Sequence, residues 1–176
     1  DYAFTEEIMV KAGEMGLLGI SVPEEYGGMG MGFVSTMLVC DYISGATGSL
    51  ATAYGAHTGI GTMPIVLYGT EEQKQKYIPK LVSGEWFGSY CLTEPDAGSD
   101  AASIKTTAQL QGQHYVLNGA KAFISGAGET QLLVVMARTG SAGAGGISAF
   151  AVSADSPGIS FGRKELKMGW NSQSTR

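Results

Sequence analysis

The residues with the greatest capacity for chemistry lie in one stretch, "YCLTEPDAGSD", which runs from Tyr90 to Asp100. It holds a Thr, a Ser, three carboxylates, a Pro and a Gly, although only 15% of the residues in the chain are charged. Gly98 permits backbone angles that gather N–H groups into an anion-binding nest, and Ser99 adds a hydroxyl. The stretch is therefore either a ligand-binding loop or a polar turn whose groups satisfy one another.

The composition is that of a globular protein and argues against several kinds of partner. The chain has 176 residues, 44% of them hydrophobic, and a net charge of -5 without a dense stripe of Lys and Arg, which disfavours nucleic acid. No apolar run reaches the roughly 18–20 residues needed to span a bilayer. The first residues do not form a signal peptide. Cys40 and Cys91 provide neither a disulfide framework nor metal-ligand spacing, so we predict a reducing compartment and no metal site.

The first half of the chain has the periodicity of helices. Thr5 is predicted as the N-cap of a first helix, which Gly16 can end in a left-handed conformation. Further helices are predicted over about 33–45 and 50–68, the second of them rich in Ala, Gly and Thr. A capping box that begins at Thr70 opens a fourth helix.

From about Trp86 the hydrophobic period becomes two. Asn118-Gly119 is a strong type I′ hairpin signal, and Gly112-Gln113 is a second predicted turn. Short strands without intervening helices predict an antiparallel β-barrel or sandwich. The predicted fold class is α+β, with an all-α helical domain over residues 1–84 and an antiparallel β domain over 85–176 that is incomplete at its C-terminus. The β runs are "EWFGSYCL", "IKTTAQLQ", "HYVLNG", "KAFIS", "LLVVMAR", "ISAFAVS" and "ISFGRKEL".

The order of residues from Cys91 to Ser103, "CLTEPDAGSDAAS", resembles the signature of the acyl-CoA dehydrogenase family. That signature is a small residue, an aliphatic, Ser or Thr, Glu, two free positions, a small residue, Gly, Ser or Thr, Asp, two free positions and a small residue, and every defined position matches. "LNGAKAFISGAGE" at 117–129 resembles the family's second flavin segment, and "GTEEQKQKYIPKLVSGE" resembles its helix leading into the β domain. The similarity covers essentially the whole chain.

This resemblance implies an FAD cofactor. In the family, the residues that match Tyr90 to Thr93 lie along the isoalloxazine ring, and Thr93 contributes backbone and hydroxyl hydrogen bonds. The match to Ser125 places its hydroxyl near N5 of the flavin, and the Ser99 position serves both the flavin and the phosphopantetheine or phosphate part of acyl-CoA. The implied cofactor-binding residues are Tyr90, Cys91, Leu92, Thr93, Gly98, Ser99, Phe123, Ile124 and Ser125, and Ser99 is also implied in substrate binding.

The resemblance also implies the α,β-dehydrogenation of an acyl-CoA thioester to the 2-enoyl-CoA, with a short or branched acyl chain and with electrons passed to electron-transferring flavoprotein. The family's base is a Glu in a C-terminal helical domain. Both ends of this sequence look cut and it stops before that region, so a fragment is expected, inactive by itself and with no catalytic residue assigned. Glu94 and Asp100 are expected to brace the loop through backbone hydrogen bonds.

The complete protein is expected to be a homodimer or homotetramer in a bacterial cytoplasm or a mitochondrial matrix, and not secreted. Alternative functions on the same fold are an acyl-CoA oxidase, a nitroalkane-oxidase-like flavoprotein, and a non-catalytic homologue that binds acyl-CoA. His57 and His114 are predicted to be packed or exposed rather than metal ligands, with the acyl pocket as an alternative place for His57. Trp86 and Trp170 are predicted to pack, with a place near the ligand as the alternative for Trp170.

Overall fold

Helices fill the first half of the chain. The computed structural model describes residues 2–176. Thr5 is not the predicted N-cap, because it is buried within a helix that already includes Tyr2. Gly16 takes the predicted left-handed conformation, with φ of 76°. At the predicted capping box, Thr70 and Gln73 exchange hydrogen bonds between side chain and backbone. The helices are α1 (Tyr2–Glu14), α2 (Phe33–Ala46), α3 (Gly48–Gly55), a π-helical segment (Ala56–Thr62), α4 (Met63–Tyr68) and α5 (Glu71–Ser83).

The predicted helix over 50–68 forms as three successive segments rather than one. Its glycine-containing middle, Ala56–Thr62, is π-helical, and the Thr62 hydroxyl donates to the carbonyl of His57 at 2.9 Å. Wide turns of this kind occur frequently at functional sites. None of the helices within residues 2–176 is long and apolar enough to cross a membrane.

The second half of the chain forms a five-stranded sheet in which β1, β4, β2 and β3 follow one another and β5 pairs with β4. The predicted succession of a helical part and a β part is confirmed. The pairing is mixed rather than purely antiparallel, because β1 runs parallel to β4, while β2–β3 and β4–β5 are antiparallel. A long excursion that contains β2 and β3 returns the chain to the same end of the sheet, as a parallel pair requires. The strands are β1 (Gly88–Cys91), β2 (Thr107–Gln111), β3 (His114–Asn118), β4 (Leu132–Arg138) and β5 (Ile147–Ser153).

The β2–β3 hairpin turns at the second of the two predicted positions. Gln111 pairs with His114, so the loop consists of Gly112-Gln113, and Gly112 has φ of 64°. The hairpin prediction at Asn118-Gly119 was wrong, because Asn118 is the last residue of β3 and pairs with the first residue of β2.

Two predicted β runs are not strands. In "KAFIS", Phe123 has φ of 58°, which interrupts an extended conformation, and Ser125 forms only an isolated bridge with Thr175. The run over 159–166 has no regular structure, and its Glu165 N–H donates to the carbonyl of Thr175 at 2.8 Å. Both runs therefore bond to the last residues of the chain instead of extending the sheet.

One core joins the helical half to the sheet. Ile78 and Leu81 of α5 and Leu132 of β4 are fully buried in the same apolar cluster. A second close approach brings the π-helical segment against β1, where a Cβ added to Gly61 would lie 2.7 Å from the carbonyl oxygen of Gly88. The predicted domain boundary near residue 84 therefore runs through a shared core, and it stays a prediction.

The contact between Gly61 and β1 predicts a large effect of one methyl group. Gly61→Ala should destabilise the chain by about 1–3 kcal/mol, because the new Cβ would force the backbones of the π-helical segment and β1 apart. Gly59→Ala is the matched control, since nothing lies within 4 Å of its added Cβ. Urea denaturation measures both effects. Equal stability of the two variants would contradict the close approach.

Candidate functional site

Strand β1 has one open edge. It lies at the end of the sheet and pairs with β4 along one side only. The N–H of Leu132 donates to the carbonyl of Phe87 at 3.1 Å. This bond shows which residues of β1 direct their backbone groups towards β4. Since alternate residues of a parallel strand bond to its partner, the odd-numbered residues of β1 face β4 and the even-numbered ones face the open edge.

Two side chains close the ends of this edge. The N–H of Gly88 donates to Nδ1 of His57 at 3.3 Å, and the carbonyl of Leu92 accepts from Nζ of Lys121 at 3.1 Å. Between them, the N–H and C=O of Tyr90 and the N–H of Leu92 have no hydrogen-bond partner among residues 2–176. This short row of backbone donors and an acceptor is open to a ligand, and we call it the β1 edge.

His57 is a packed residue, as predicted. Its side chain is buried, and Nε2 lies 2.9 Å from the carbonyl oxygen of Leu81. Because Nδ1 accepts from Gly88, the proton of the neutral ring belongs on Nε2. Burial lowers the pKa of His57 to about 4, against the opposing effect of the Leu81 carbonyl. The ring therefore ties the π-helical segment and α5 to the start of the β1 edge.

The segment 122–126 lies beside the far end of the β1 edge. The N–H of Ala122 donates to the carbonyl of Thr93 at 2.9 Å. On its other side, Ile124 exchanges backbone hydrogen bonds of 2.7 and 3.2 Å with Arg176. The two stretches that contain the predicted cofactor-binding residues are therefore neighbours, although two strands, β2 and β3, separate them in the sequence.

The side chains of the predicted site residues do not all face the same way. Cys91 and Ile124 are each 5% exposed and pack with Ala127 and Leu133 in an apolar cluster. Neither of these two side chains can therefore meet a ligand at the β1 edge. Burial raises the pKa of the Cys91 thiol to about 12, so it is an unreactive core residue. The predicted residues with half-buried side chains are Tyr90, Leu92, Thr93 and Ser125, and those that are exposed are Gly98, Ser99 and Phe123.

The predicted anion nest at Gly98 does not form. Gly98 is absent from the glycines of residues 2–176 that have positive φ, whereas such a nest needs a left-handed residue. Gly98 and Ser99 lie instead on an exposed turn, and nothing lies within 4 Å of a Cβ added to Gly98. Contacts from this turn to a ligand would come from exposed groups rather than from a preformed cradle.

Glu94 braces the loop, as predicted. One carboxylate oxygen accepts from the N–H of Thr106 at 3.0 Å and from Nζ of Lys121 at 2.7 Å, and the other accepts from the N–H of Lys105 at 2.6 Å. Burial alone would raise the pKa of this carboxyl, but these hydrogen bonds outweigh it and hold the pKa at about 2. At Asp100 the backbone carbonyl braces the turn, by accepting from Ser103.

Lys121 was missed by the sequence reasoning. Its side chain is 12% exposed and contacts both Leu92 and Glu94, so it links the segment before Phe123 to the end of β1. The only signal in the sequence is a lysine inside an otherwise apolar run. Packing was also the wrong prediction for Trp170, which is 65% exposed with φ of 55°.

Comparisons with known proteins agree over the whole chain. Residues 1–85 match the model of the acyl-CoA dehydrogenase N-terminal domain, and residues 89–176 match that of the middle domain. The mitochondrial isobutyryl-CoA dehydrogenase of Dictyostelium discoideum is 46% identical over 174 residues, which are 98% of this chain and 42% of that protein. The mitochondrial isovaleryl-CoA dehydrogenase of Pongo abelii is 41% identical over 172 residues, which are 96% of this chain and 41% of that protein.

A solved structure of an acyl-CoA dehydrogenase complexed with FAD, from Bacillus anthracis, superposes on this chain with a TM-score of 0.91. The two are 45% identical, and the match covers 100% of this chain and 30% of that one. The chain thus spans about two fifths of the curated relatives named above.

The hydrogen bonds of Glu94 predict a pH-dependent contribution to stability. The pKa of Glu94 is held at about 2 in the folded chain, against an ordinary value of 4.5. Since one unit of pKa difference corresponds to about 1.4 kcal/mol, Glu94→Gln should cost up to about 3 kcal/mol above pH 5. That cost should shrink as the pH falls from about 4.5 towards 2, because protonation removes the charged acceptor in the parent chain.

Asp96→Asn is the matched control in the same loop. Asp96 pairs with Lys105 at 2.8 Å, but both side chains are more than 70% exposed, so its cost should stay below about 1 kcal/mol. Urea denaturation at a series of pH values measures both variants. A cost of Glu94→Gln that does not change with pH would contradict the assigned role of the charged carboxylate.

Proposed function

This chain belongs to the acyl-CoA dehydrogenase family, and we propose that it supplies flavin and CoA contacts in an FAD-dependent enzyme that oxidises acyl-CoA thioesters to 2-enoyl-CoA. The observation that carries this proposal is the unpaired backbone of the β1 edge. The pyrimidine edge of a flavin presents one N–H between two carbonyl oxygens. The carbonyl of Tyr90 and the N–H of Leu92 offer the complementary acceptor and donor.

Further groups fit the same ligand. Thr93, the next residue along the chain, adds a half-buried side chain with a hydroxyl. Phe123 presents an aromatic side chain that is 66% exposed, and its φ of 58° is unusual for a bulky residue. Backbone strain of this kind concentrates at ligand sites, where the surroundings over-determine the conformation. A flat aromatic ligand would cover this side chain and satisfy the neighbouring donors.

FAD, when bound, supplies the two-electron oxidant. The residues of this chain bind and orient it, and the N–H of Leu92 favours the negative charge that its ring acquires, since a preorganised donor costs no reorganisation. The hydroxyl of Ser125 is assigned to the N5 side of the ring. Glu94 is not the base, because its oxygens accept three hydrogen bonds and its pKa is held at about 2. The base is assigned outside residues 1–176.

The proposed substrate is a short or branched acyl-CoA, with its chain near the Ala- and Gly-containing helix that precedes Met63. The identities of 46% and 41% to isobutyryl- and isovaleryl-CoA dehydrogenases support this class. We assign Ser99 to the CoA part of the substrate, and electron-transferring flavoprotein to the reoxidation of the flavin. The proposed assembly is a homodimer or homotetramer, in a bacterial cytoplasm or a mitochondrial matrix.

The complete protein that contains residues 1–176 should therefore take up FAD, turn yellow and bleach anaerobically when a short or branched acyl-CoA is added. Thr93→Val should weaken FAD binding about fivefold, since it removes a hydroxyl hydrogen bond worth on the order of 1 kcal/mol. Thr93→Ser keeps the hydroxyl and is the matched control. Fluorescence titration with FAD measures the affinities. A protein that never takes up FAD would exclude the proposed function, whereas oxygen consumption without another acceptor would favour an oxidase.

Substitutions of Ser125 and Ser99 should affect the flavin and the acyl-CoA substrate differently. Ser125→Ala should slow flavin reduction by the acyl-CoA substrate and leave substrate affinity nearly unchanged, because its hydroxyl is assigned to the flavin ring alone. Ser99→Ala should instead weaken substrate binding more than it slows reduction at saturating substrate. Stopped-flow absorbance over a range of substrate concentrations separates the two effects. An unchanged reduction rate in Ser125→Ala would remove that hydroxyl from its assigned place.

A further inference from the structure

We propose that Ser89 and Thr130 are positioning residues, which hold the backbone of Ser125 against β1 and so set the place of the Ser125 hydroxyl relative to the flavin. This role rests on the function proposed above, in which Ser125 is assigned to the N5 side of the ring. Ser89 does not itself bind at the β1 edge, because its backbone groups face β4 and its side chain is buried.

The segment that contains Ser125 is tied to β1 at two places. At one end, the N–H of Ala122 donates to the carbonyl of Thr93 at 2.9 Å. At the other end, the Ser89 hydroxyl donates to the carbonyl of Ser125 at 2.7 Å. Among residues 2–176, no other hydrogen bond joins Ser125 to β1. The bond from Ser89 therefore sets the distance between Ser125 and the strand that carries the β1 edge.

The Ser89 hydroxyl is itself held in one direction. Its oxygen lies 2.7 Å from the hydroxyl oxygen of Thr130. A hydroxyl has one proton, and that of Ser89 goes to the Ser125 carbonyl, so the proton of Thr130 goes to Ser89. Ser89 is 2% exposed and Thr130 is 8% exposed, so water does not compete for these two bonds.

The neighbouring glycine shows how closely the two hydroxyl-bearing side chains pack against this segment. Gly126 has φ of 80°, and a Cβ added to it would lie 2.9 Å from Ser89 Oγ and 2.8 Å from Thr130 Cγ2. The peptide between Ser125 and Gly126 thus rests directly on Ser89 and Thr130. Loss of the Ser89 hydroxyl removes both a hydrogen bond and an atom on which this peptide rests, so Ser125 should gain freedom to move.

The Ser125 hydroxyl is available to a ligand. It has no hydrogen-bond partner among residues 2–176, and the residue is only half-buried. Ser125 lines one small cavity together with His57 and Gly88, which lie at the start of the β1 edge. Its place relative to that edge is therefore what the Ser89–Thr130 pair controls.

Stopped-flow reduction of the complete, FAD-loaded protein by a branched four-carbon acyl-CoA tests this role. Ser89→Ala should slow flavin reduction about fivefold, as the loss of one ordinary hydrogen bond predicts, and should change the affinity for FAD less than about twofold. Thr130→Val should act in the same direction, and Thr130→Ser, which keeps the hydroxyl, should have the parent rate.

Ser148→Ala is the matched control. Ser148 forms the same kind of hydroxyl pair with Thr139, at 2.7 Å, but this pair is exposed and lies at the other end of β4. Its loss should leave the rate of flavin reduction unchanged.

The effect of Ser89→Ala should depend on the presence of the Ser125 hydroxyl. In a Ser125→Ala background, Ser89→Ala should slow reduction by less than about twofold more, because residues that act through one another are not additive. A merely structural role would slow reduction about equally in both backgrounds. Equal slowing in the two backgrounds, or an unchanged rate in Ser89→Ala, would overturn the proposal.

The bond that holds Ser125 can also be observed without a flavin. In NMR spectra of the flavin-free complete protein, the carbonyl carbon of Ser125 should move upfield in Ser89→Ala and stay in place in Ser148→Ala. An unmoved Ser125 signal in Ser89→Ala would also overturn the proposal. A protein that takes up no FAD, with the Ser125 signal moving as expected, would contradict the proposed function and leave the hold of Ser89 on Ser125 supported.

Discussion

The open backbone edge of β1 is the constraint on which the rest of this structure depends. Backbone N–H and C=O groups in a half-buried place need partners, and an edge strand exposes a whole row of them. Here His57 and Lys121 take the groups at the two ends of the row and leave the N–H and C=O of Tyr90 and the N–H of Leu92 without a partner among residues 2–176. A flavin that pairs with the remaining groups would therefore complete the edge and protect it from pairing with another strand.

The helical half shapes this edge as much as the sheet does. The close approach of Gly61 to Gly88 leaves no room for a side chain, so the π-helical segment lies directly against the start of β1. His57, on the same segment, bonds to both α5 and β1 and is held neutral by burial. The helix assigned to the acyl chain and the strand assigned to the flavin are thus in direct backbone contact. A side chain added at Gly61 would force them apart.

Local patterns predicted the parts of this fold that depend on local physics. The capping box at Thr70 and the left-handed Gly16 follow from the requirements of helix ends, and the change of hydrophobic period correctly separated helices from strands. The motif around Thr93 indicated the acyl-CoA dehydrogenase family, and the similarity to that family was confirmed over both halves of the chain. These predictions succeeded because each one needs only neighbouring residues.

The predictions that were wrong concern features that depend on residues far apart in the sequence. The parallel pairing of β1 with β4 depends on where a long excursion returns, which no short window records. The signal at Asn118-Gly119 was strong, but a Cβ on Gly119 would lie 2.3 Å from Thr106 Oγ1, so tertiary packing accounts for that glycine. Lys121 is equally non-local, since its partners Leu92 and Glu94 lie in a different part of the sequence.

A carboxylate in a ligand loop suggests a catalytic base, yet a base needs a pKa near the working pH. The pKa of Glu94 is held at about 2, far below such a range, and its charge serves instead to hold Lys121 in place beside the Leu92 carbonyl.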